Sequence, residues 1–173
     1  NGATPVLSDD FKHEGNYSAK VYKKDGTSDV FCKFYLGDTA TRANTTLQGF
    51  EAGETYMVSL YVYYAPPTST QGITFKTRII NGTGSTCVQD LNSGDIPTVH
   101  PNEWTNITRT FECNSEYTTG INLRFEPGMM EKDSAYYIDK IQVSKVRSTK
   151  EYNDVEVDWI SYENFEEYYQ STY

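Results

Sequence analysis

The sequence predicts an all-β protein, a two-sheet antiparallel β-sandwich (jelly roll) with a short acidic C-terminal tail. Short period-2 hydrophobic runs recur through the first 147 residues, separated by Gly, Pro, Asn and Asp. No amphipathic window of helical period lies between them. Composition leans the same way: aromatic residues make up 14% of the 173, with 15 Tyr against 2 Trp, and Tyr and Thr suit pleated, half-wet surfaces.

The runs follow in order. Residues 17–22 alternate and stop at Lys24, Asp25 and Gly26, a turn in which Gly supplies positive φ at little cost. Residues 30–36 form a denser apolar run that closes at Gly37 and Asp38. Residues 45–50 lead through a bend at 51–54 into the clearest strand, residues 56–64, which Pro66 and Pro67 end because proline cannot donate to a sheet ladder. Residues 73–80 stop at Asn81 and Gly82, and the Gly/Asn/Ser/Pro-rich stretch 92–102 reads as loop. Three more runs cover 104–112, 120–126 (with Pro127 and Gly128 as the stop) and 136–146. Eight to ten short strands at this spacing argue a sandwich or barrel.

Length allows one full-sized domain with a real core. Residues 1–147 read as that domain, a β-sandwich binding module. Residues 148–173 read as an acidic tail, a linker or the start of a neighbouring module: they carry seven acids against one base, a net of −6, leaving −3 for the rest of a chain whose total is −9. The tail's pattern is mixed. Val155, Val157 and Trp159 alternate, while Phe165, Tyr168 and Tyr169 have roughly helical spacing. A linker, a docked terminal strand followed by a helical turn, and the start of another module all fit it.

An acidic chain repels phosphate backbones, which argues against nucleic acid as a partner. No stretch approaches the roughly 20 apolar residues of a membrane span. With no initiator Met and no leader before Asn1, the chain reads as a mature protein or an excised module. Cys32, Cys87 and Cys113 lack the close pairs of a zinc site, and reduced, buried thiols are favoured over one disulfide with a leftover thiol. Sequons at Asn16, Asn44, Asn81 and Asn106 are what a Thr- and Asn-rich β protein produces by chance.

Four stretches carry a family resemblance. They are residues 10–21, opening with Asp10 and leading through Gly15 into a strand; 47–61, with Gly49, Phe50, Gly53, Glu54, Thr55 and Tyr56 ahead of an alternating strand; 104–111, beginning at Trp104; and the closing strand 136–143. In this order they resemble the jelly-roll carbohydrate-binding modules attached to bacterial polysaccharide-degrading enzymes, in the xylan- and β-glucan-binding group. Two features depart from that pattern. Lys140 stands where the closing strand usually carries a second acid, and the exposed Trp pair of many sugar clefts is missing.

The resemblance implies a non-catalytic module that targets a secreted or cell-surface enzyme or scaffold to polysaccharide, with linked catalytic or scaffold modules as covalent partners. It also implies a structural Ca²⁺ tying the opening loop to the closing strand. Asp139 matches the acid of that strand, and Asp10 or Glu14, with the carbonyl of Asn16, would face it, since calcium wants several oxygen ligands. Alternatively, Asp139 hydrogen-bonds a turn.

The residues themselves speak against catalysis. Most acids sit at turns or in the tail rather than as a facing pair, and His13 and His100 lie in loop contexts without a nucleophile motif. A sugar site needs aromatic platforms and planar polar groups. Strand parity turns Val58, Leu60 and Val62 inward and Tyr61 and Tyr63 outward, and by the same rule Lys76 and Arg78, then Asn122, Arg124 and Glu126, point outward. If these three strands share one sheet, the seven residues form one face that suits a plant cell-wall glycan, with the bases favouring uronate-bearing chains. An ordinary solvated sheet face looks much the same, and the other functional reading is a structural or adhesive spacer of a cell-surface protein. Trp104 fits rim packing better than ligand stacking.

Overall fold

The protein is described here from a computed structural model covering residues 4–24, 30–36, 51–81, 87–92, 94–113, 121–148 and 155–161. The expected run at 45–50, the sequon Asn44 and the tail beyond 161 lie outside these residues. Among the described residues there are eleven strands and no helix: β1 (Val6–Ser8), β2 (Ser18–Tyr22), β3 (Cys32–Leu36), β4 (Thr55–Ala65), β5 (Ile73–Asn81), β6 (Cys87–Asp90), β7 (Thr98–Val99), β8 (Trp104–Glu112), β9 (Ile121–Gly128), β10 (Ala135–Ser148) and β11 (Val155–Ser161). Most coincide with the period-2 runs. The short β1, β6 and β7 do not, because two to four residues are too few to display a period.

Pro127 and Gly128 do not stop β9, which runs through them opposite Phe75 and Thr74. The approach there is close. A Cβ on Gly128 would sit 2.5 Å from Thr74 Oγ1, so a residue without a side chain suits that place in the ladder.

Two antiparallel sheets result. One orders its strands β1-β2-β10-β4-β8, with β11 also on β10; the other orders them β3-β9-β5-β6, with β7 also on β5. Within the acidic segment, β11 pairs with residues 142–148 of β10. The inner faces meet in a core that includes Val58, Leu60, Val62, Tyr64, Tyr136 and Ile138 from the first sheet and Phe75, Ile79, Leu123 and Phe125 from the second. Val58, Leu60 and Val62, which strand parity placed inward, are buried, as are Leu123, Phe125, Ile138 and Ile141. Tyr136 satisfies its hydroxyl by donating to the Val30 carbonyl at 3.1 Å, and burial pushes its phenol well above the ordinary range. All three cysteines are free thiols, and burial pushes Cys32 up to about 12, which leaves it unreactive.

The topology corrects one expectation. β4 belongs to the six-stranded sheet, whereas β5 and β9 belong to the five-stranded one. Tyr61 and Tyr63 therefore do not share a face with Lys76, Arg78, Asn122, Arg124 and Glu126; the two groups stand on opposite outer faces of the sandwich. Nor do the tyrosines form an open platform. The segment from 9 to 16 folds over them, placing Phe11 on Tyr63 with ring centres 4.4 Å apart and His13 on Tyr61 at 3.7 Å, both near parallel. Trp104 and Tyr137 complete a small aromatic cluster around Tyr63, which is only 9% exposed.

Loops are tied by carboxylates. Glu131 accepts hydrogen bonds from the amides of Thr68 and Ser69 and from the Thr68 hydroxyl at 3.1, 2.7 and 2.5 Å, and these donors, the Thr68 hydroxyl first, hold its carboxyl below the ordinary value of 4.5.

Two predictions follow from this packing. Tyr63→Ala should destabilise the domain by about 3 kcal/mol, as emptying a buried aromatic site does, while leaving the polysaccharide affinity of the folded protein as in the parent. Denaturant melts and gel-retardation assays on the same samples check both halves, and lost affinity in a stable variant would contradict the assignment of this face. Glu131 makes its contribution above pH 4.5 and loses it as pH falls through the lower native value, because folding depresses its pKa. The melting temperature of Glu131→Gln should thus lie below the parent's near neutrality and converge on it under acid conditions.

Candidate functional site

The outer face of the five-stranded sheet is built from alternate residues of four strands. Cys32, Phe75, Leu123 and Phe125 point into the core, so Phe31 just before β3, Lys33 on β3, Lys76 and Arg78 on β5, and Arg124 and Glu126 on β9 take the outer side. Register then lines them up. Lys33 pairs with Arg124, Arg124 with Arg78, and Arg78 with Asp90, forming one row across β3, β9, β5 and β6. Lys76 pairs with Glu126 in the neighbouring row.

Three cations in register on adjacent strands repel one another, and the carboxylates are placed to relieve this. Glu126 reaches Arg78 Nη1 with Oε2 at 2.8 Å and Arg124 Nε with Oε1 at 2.5 Å. The second contact is an ion pair without hydrogen-bond alignment, since neither atom has a hydrogen-bonding partner among the described residues. Asp90 accepts from Arg78 Nε at 3.2 Å. Burial works against the Arg78 charge, but Glu126 and Asp90 outweigh it and raise the pKa. Arg124 is held from another direction, with its guanidinium carbon 3.7 Å from the centre of the Phe31 ring.

Asp90 is itself held in place. Asn92, buried at 5% exposed, donates to its Oδ1 through both backbone and side-chain nitrogens at 3.0 and 2.5 Å. The same side chain brackets Thr77, accepting from its amide and donating to its carbonyl, each at 3.2 Å. Burial raises the Asp90 pKa, but the Asn92 donors and Arg78 more than offset it, so the carboxyl lies below 3.8. The result is a continuous polar chain from Asn92 through Asp90, Arg78 and Glu126 to Arg124. It fixes planar donors and acceptors on an accessible sheet face, which is what sugar hydroxyls and carboxylates require.

Five of the seven expected ligand residues thus belong to one sheet, but Asn122 is only 1% exposed and leaves the accessible face to the others. Reading the sequence alone missed Lys33, Phe31 and Asp90. Lys33 sits between inward Cys32 and Phe34, an alternation masked by the density of apolar residues around it. On the flank of the sandwich, a groove of about 290 Å³ is lined by Leu91, Asn92, Asp95, Thr108, Arg109 and Thr110. It offers no aromatic ring, and Arg109 already donates to the carbonyls of Thr108 and Asp95.

The four residues expected around calcium are arranged differently from a ligand set. Asp139 Oδ2 accepts from the amides of His13 and Glu14 at 2.7 and 3.1 Å, and Oδ1 from the amide of Lys140 at 2.7 Å. Glu14 pairs with the Lys140 ammonium at 2.5 Å, and Asp10 with Lys20 at 2.6 Å and the Tyr137 hydroxyl at 3.2 Å. Asn16 is exposed. The described residues contain no cluster of three or more metal-type side chains. A calcium ion wants converging oxygens, whereas here the carboxylates face N–H donors and ammonium groups, so the set does not fit one.

The sequence profile of the carbohydrate binding domain family matches residues 2–135. Among solved structures, the CBM22-1 xylan-binding domain of Paenibacillus barcinonensis Xyn10C is similar with a TM-score of 0.55 at 12% identity, over 84% of this chain and 83% of that one. The C-terminal family 22 carbohydrate-binding module of Clostridium thermocellum Xyn10B gives 0.53 at 18%, over 80% and 78%. The CBM22-1–GH10 portion of Clostridium thermocellum xylanase 10B, complexed with xylohexaose, gives 0.50 at 13%, over 82% of this chain and 24% of that one. At these identities the likeness is one of fold. No curated protein sequence matches the chain. The jelly-roll sandwich, its charged sheet face and the profile match lead to one assignment: the chain belongs to the carbohydrate binding domain family and forms a non-catalytic polysaccharide-binding module.

Proposed function

We propose that the polysaccharide lies across the outer face of the five-stranded sheet, over Arg78, Arg124 and Glu126, and that it carries carboxylates. The carrying observation is the cross-strand row of Lys33, Arg124 and Arg78. With Lys76 the face holds, among the described residues, four cations against the two carboxylates Glu126 and Asp90, in a chain whose net charge is −9. Neutral glucans need no such excess. A uronate carboxylate entering the row relieves the repulsion that Glu126 offsets only in part, and Lys76, which has no ion-pair partner among the described residues, is available to it. The opposite face supports the reading in part, since its central rings Tyr61 and Tyr63 lie beneath the chain's own 9–16 segment.

One structural neighbour is a xylan-binding domain and another is complexed with xylohexaose, which favours uronate-decorated xylan among acidic plant cell-wall glycans. Some neighbours are joined to catalytic modules. On this reading the module belongs to a secreted or cell-surface enzyme or scaffold and delivers its linked partners to the wall.

Affinity electrophoresis through gels containing neutral or uronate-bearing xylan tests this. Arg124→Ala should weaken binding to both by about 10- to 100-fold, the loss expected for one charge-assisted hydrogen bond. Lys76→Gln should weaken only the acidic xylan, and the difference should shrink as salt rises toward 1 M. Parental mobility of both variants on both polysaccharides would rule this face out.

A further inference from the structure

Charge and backbone geometry at the opening loop carry a second, independent conclusion. The loop from 9 to 16 has to be fastened to β10, because it covers Tyr61, Tyr63 and Asp139, and Asp139 is only 6% exposed. A carboxylate so placed needs positive partners. It finds them within the chain. Three of its roughly four acceptor positions are filled by amides, two from the loop (His13 and Glu14) and one from Lys140. The Lys140 side chain then reaches back to Glu14 and closes a ring of contacts between loop and strand.

This ring depends on an irregularity in β10. Asp139 pairs with Tyr61 and Gln142 with Ser59, so β10 spends three steps where β4 spends two. The extra residue is a β-bulge, and Lys140 occupies it with φ +50°. Positive φ at a residue with a side chain costs about 1–2 kcal/mol. In return, Lys140 leaves the in-out alternation and its ammonium reaches the loop. The neighbouring fastenings follow the same pattern: Asp10 meets Lys20 and the Tyr137 hydroxyl, and the Ser18 hydroxyl donates to the Phe11 carbonyl at 2.5 Å. A cation near Asp139 would meet the positive ends of the amides and an ammonium group.

We propose that this domain fastens its opening loop to the closing strand without a divalent metal, with the Lys140 ammonium and the amides of His13 and Glu14 taking the place of a cation. The loop is then part of the fold in any ionic medium, and its closure stands apart from the glycan reading above. Amide exchange at His13 and Glu14, together with the melting temperature, is measured on the full chain in millimolar calcium and in excess chelator. The parent should show the same protection and the same melting temperature in both. Lys140→Met should speed exchange at both amides at least severalfold, equally in both media. Lys140→Asp sets three carboxylates together, so its exchange should be fast in chelator and slowed by calcium. A parent that loses protection or melts lower in chelator overturns the proposal. So does a Lys140→Met variant with parental exchange, or a Lys140→Asp variant indifferent to calcium.

Discussion

Between residues 135 and 139 the strand β10 is buried on both faces. Tyr136 and Ile138 belong to the core between the sheets, while Tyr137 and Asp139 belong to the outer side, which in an ordinary antiparallel sheet would be wet. Two-sided burial imposes two demands. The outer aromatic surface needs a cover, and any polar group beneath that cover needs hydrogen bonds. The 9–16 segment meets both, stacking Phe11 and His13 on Tyr63 and Tyr61 while its amides fill the Asp139 carboxylate.

The same cover divides the labour of the two outer faces. One becomes part of the structure where the chain's own 9–16 segment covers Tyr61 and Tyr63. The other keeps an accessible row of charge, held by contacts that begin at a buried asparagine rather than at the surface. Side chains fixed in this way lose little rotamer freedom when a ligand arrives, and such preorganisation favours binding more than area does. Exposed ion pairs contribute little stability one by one, so the Arg78–Glu126–Arg124 set matters more for positioning donors than for holding the fold.

Strand parity was legible in the sequence, and it is correct for the residues it placed in β4, β5 and β9. Val58, Leu60 and Val62 go inward, and Lys76, Arg78, Arg124 and Glu126 go outward. Sheet membership was not legible. Which strands neighbour one another is decided by long-range pairing, and chain-consecutive β4 and β5 lie in different sheets. Periodicity also cannot separate an outward residue that meets water from one that meets another part of the chain. Tyr61, Tyr63 and Lys76 have the same parity signal, and only the placement of a loop from far away in sequence tells them apart.

The bulge at Lys140 had a sequence signal of its own. In a regular strand, inward Ile138 is followed by outward Asp139 and then by another inward position. The order Ile138, Asp139, Lys140, Ile141 breaks that rule, with two polar residues between two apolar ones. A one-residue slip would turn every later side chain to the wrong face, so the two-polar interval can be accommodated only if one residue leaves the ladder. The register with β4 shows this, and Ile141 and Val143 recover the core side. Between the two polar residues, the buried carboxylate already takes the paired outward position opposite Tyr61. The lysine, with its long stem and exposed ammonium, is the one that can occupy the unpaired position and still reach Glu14.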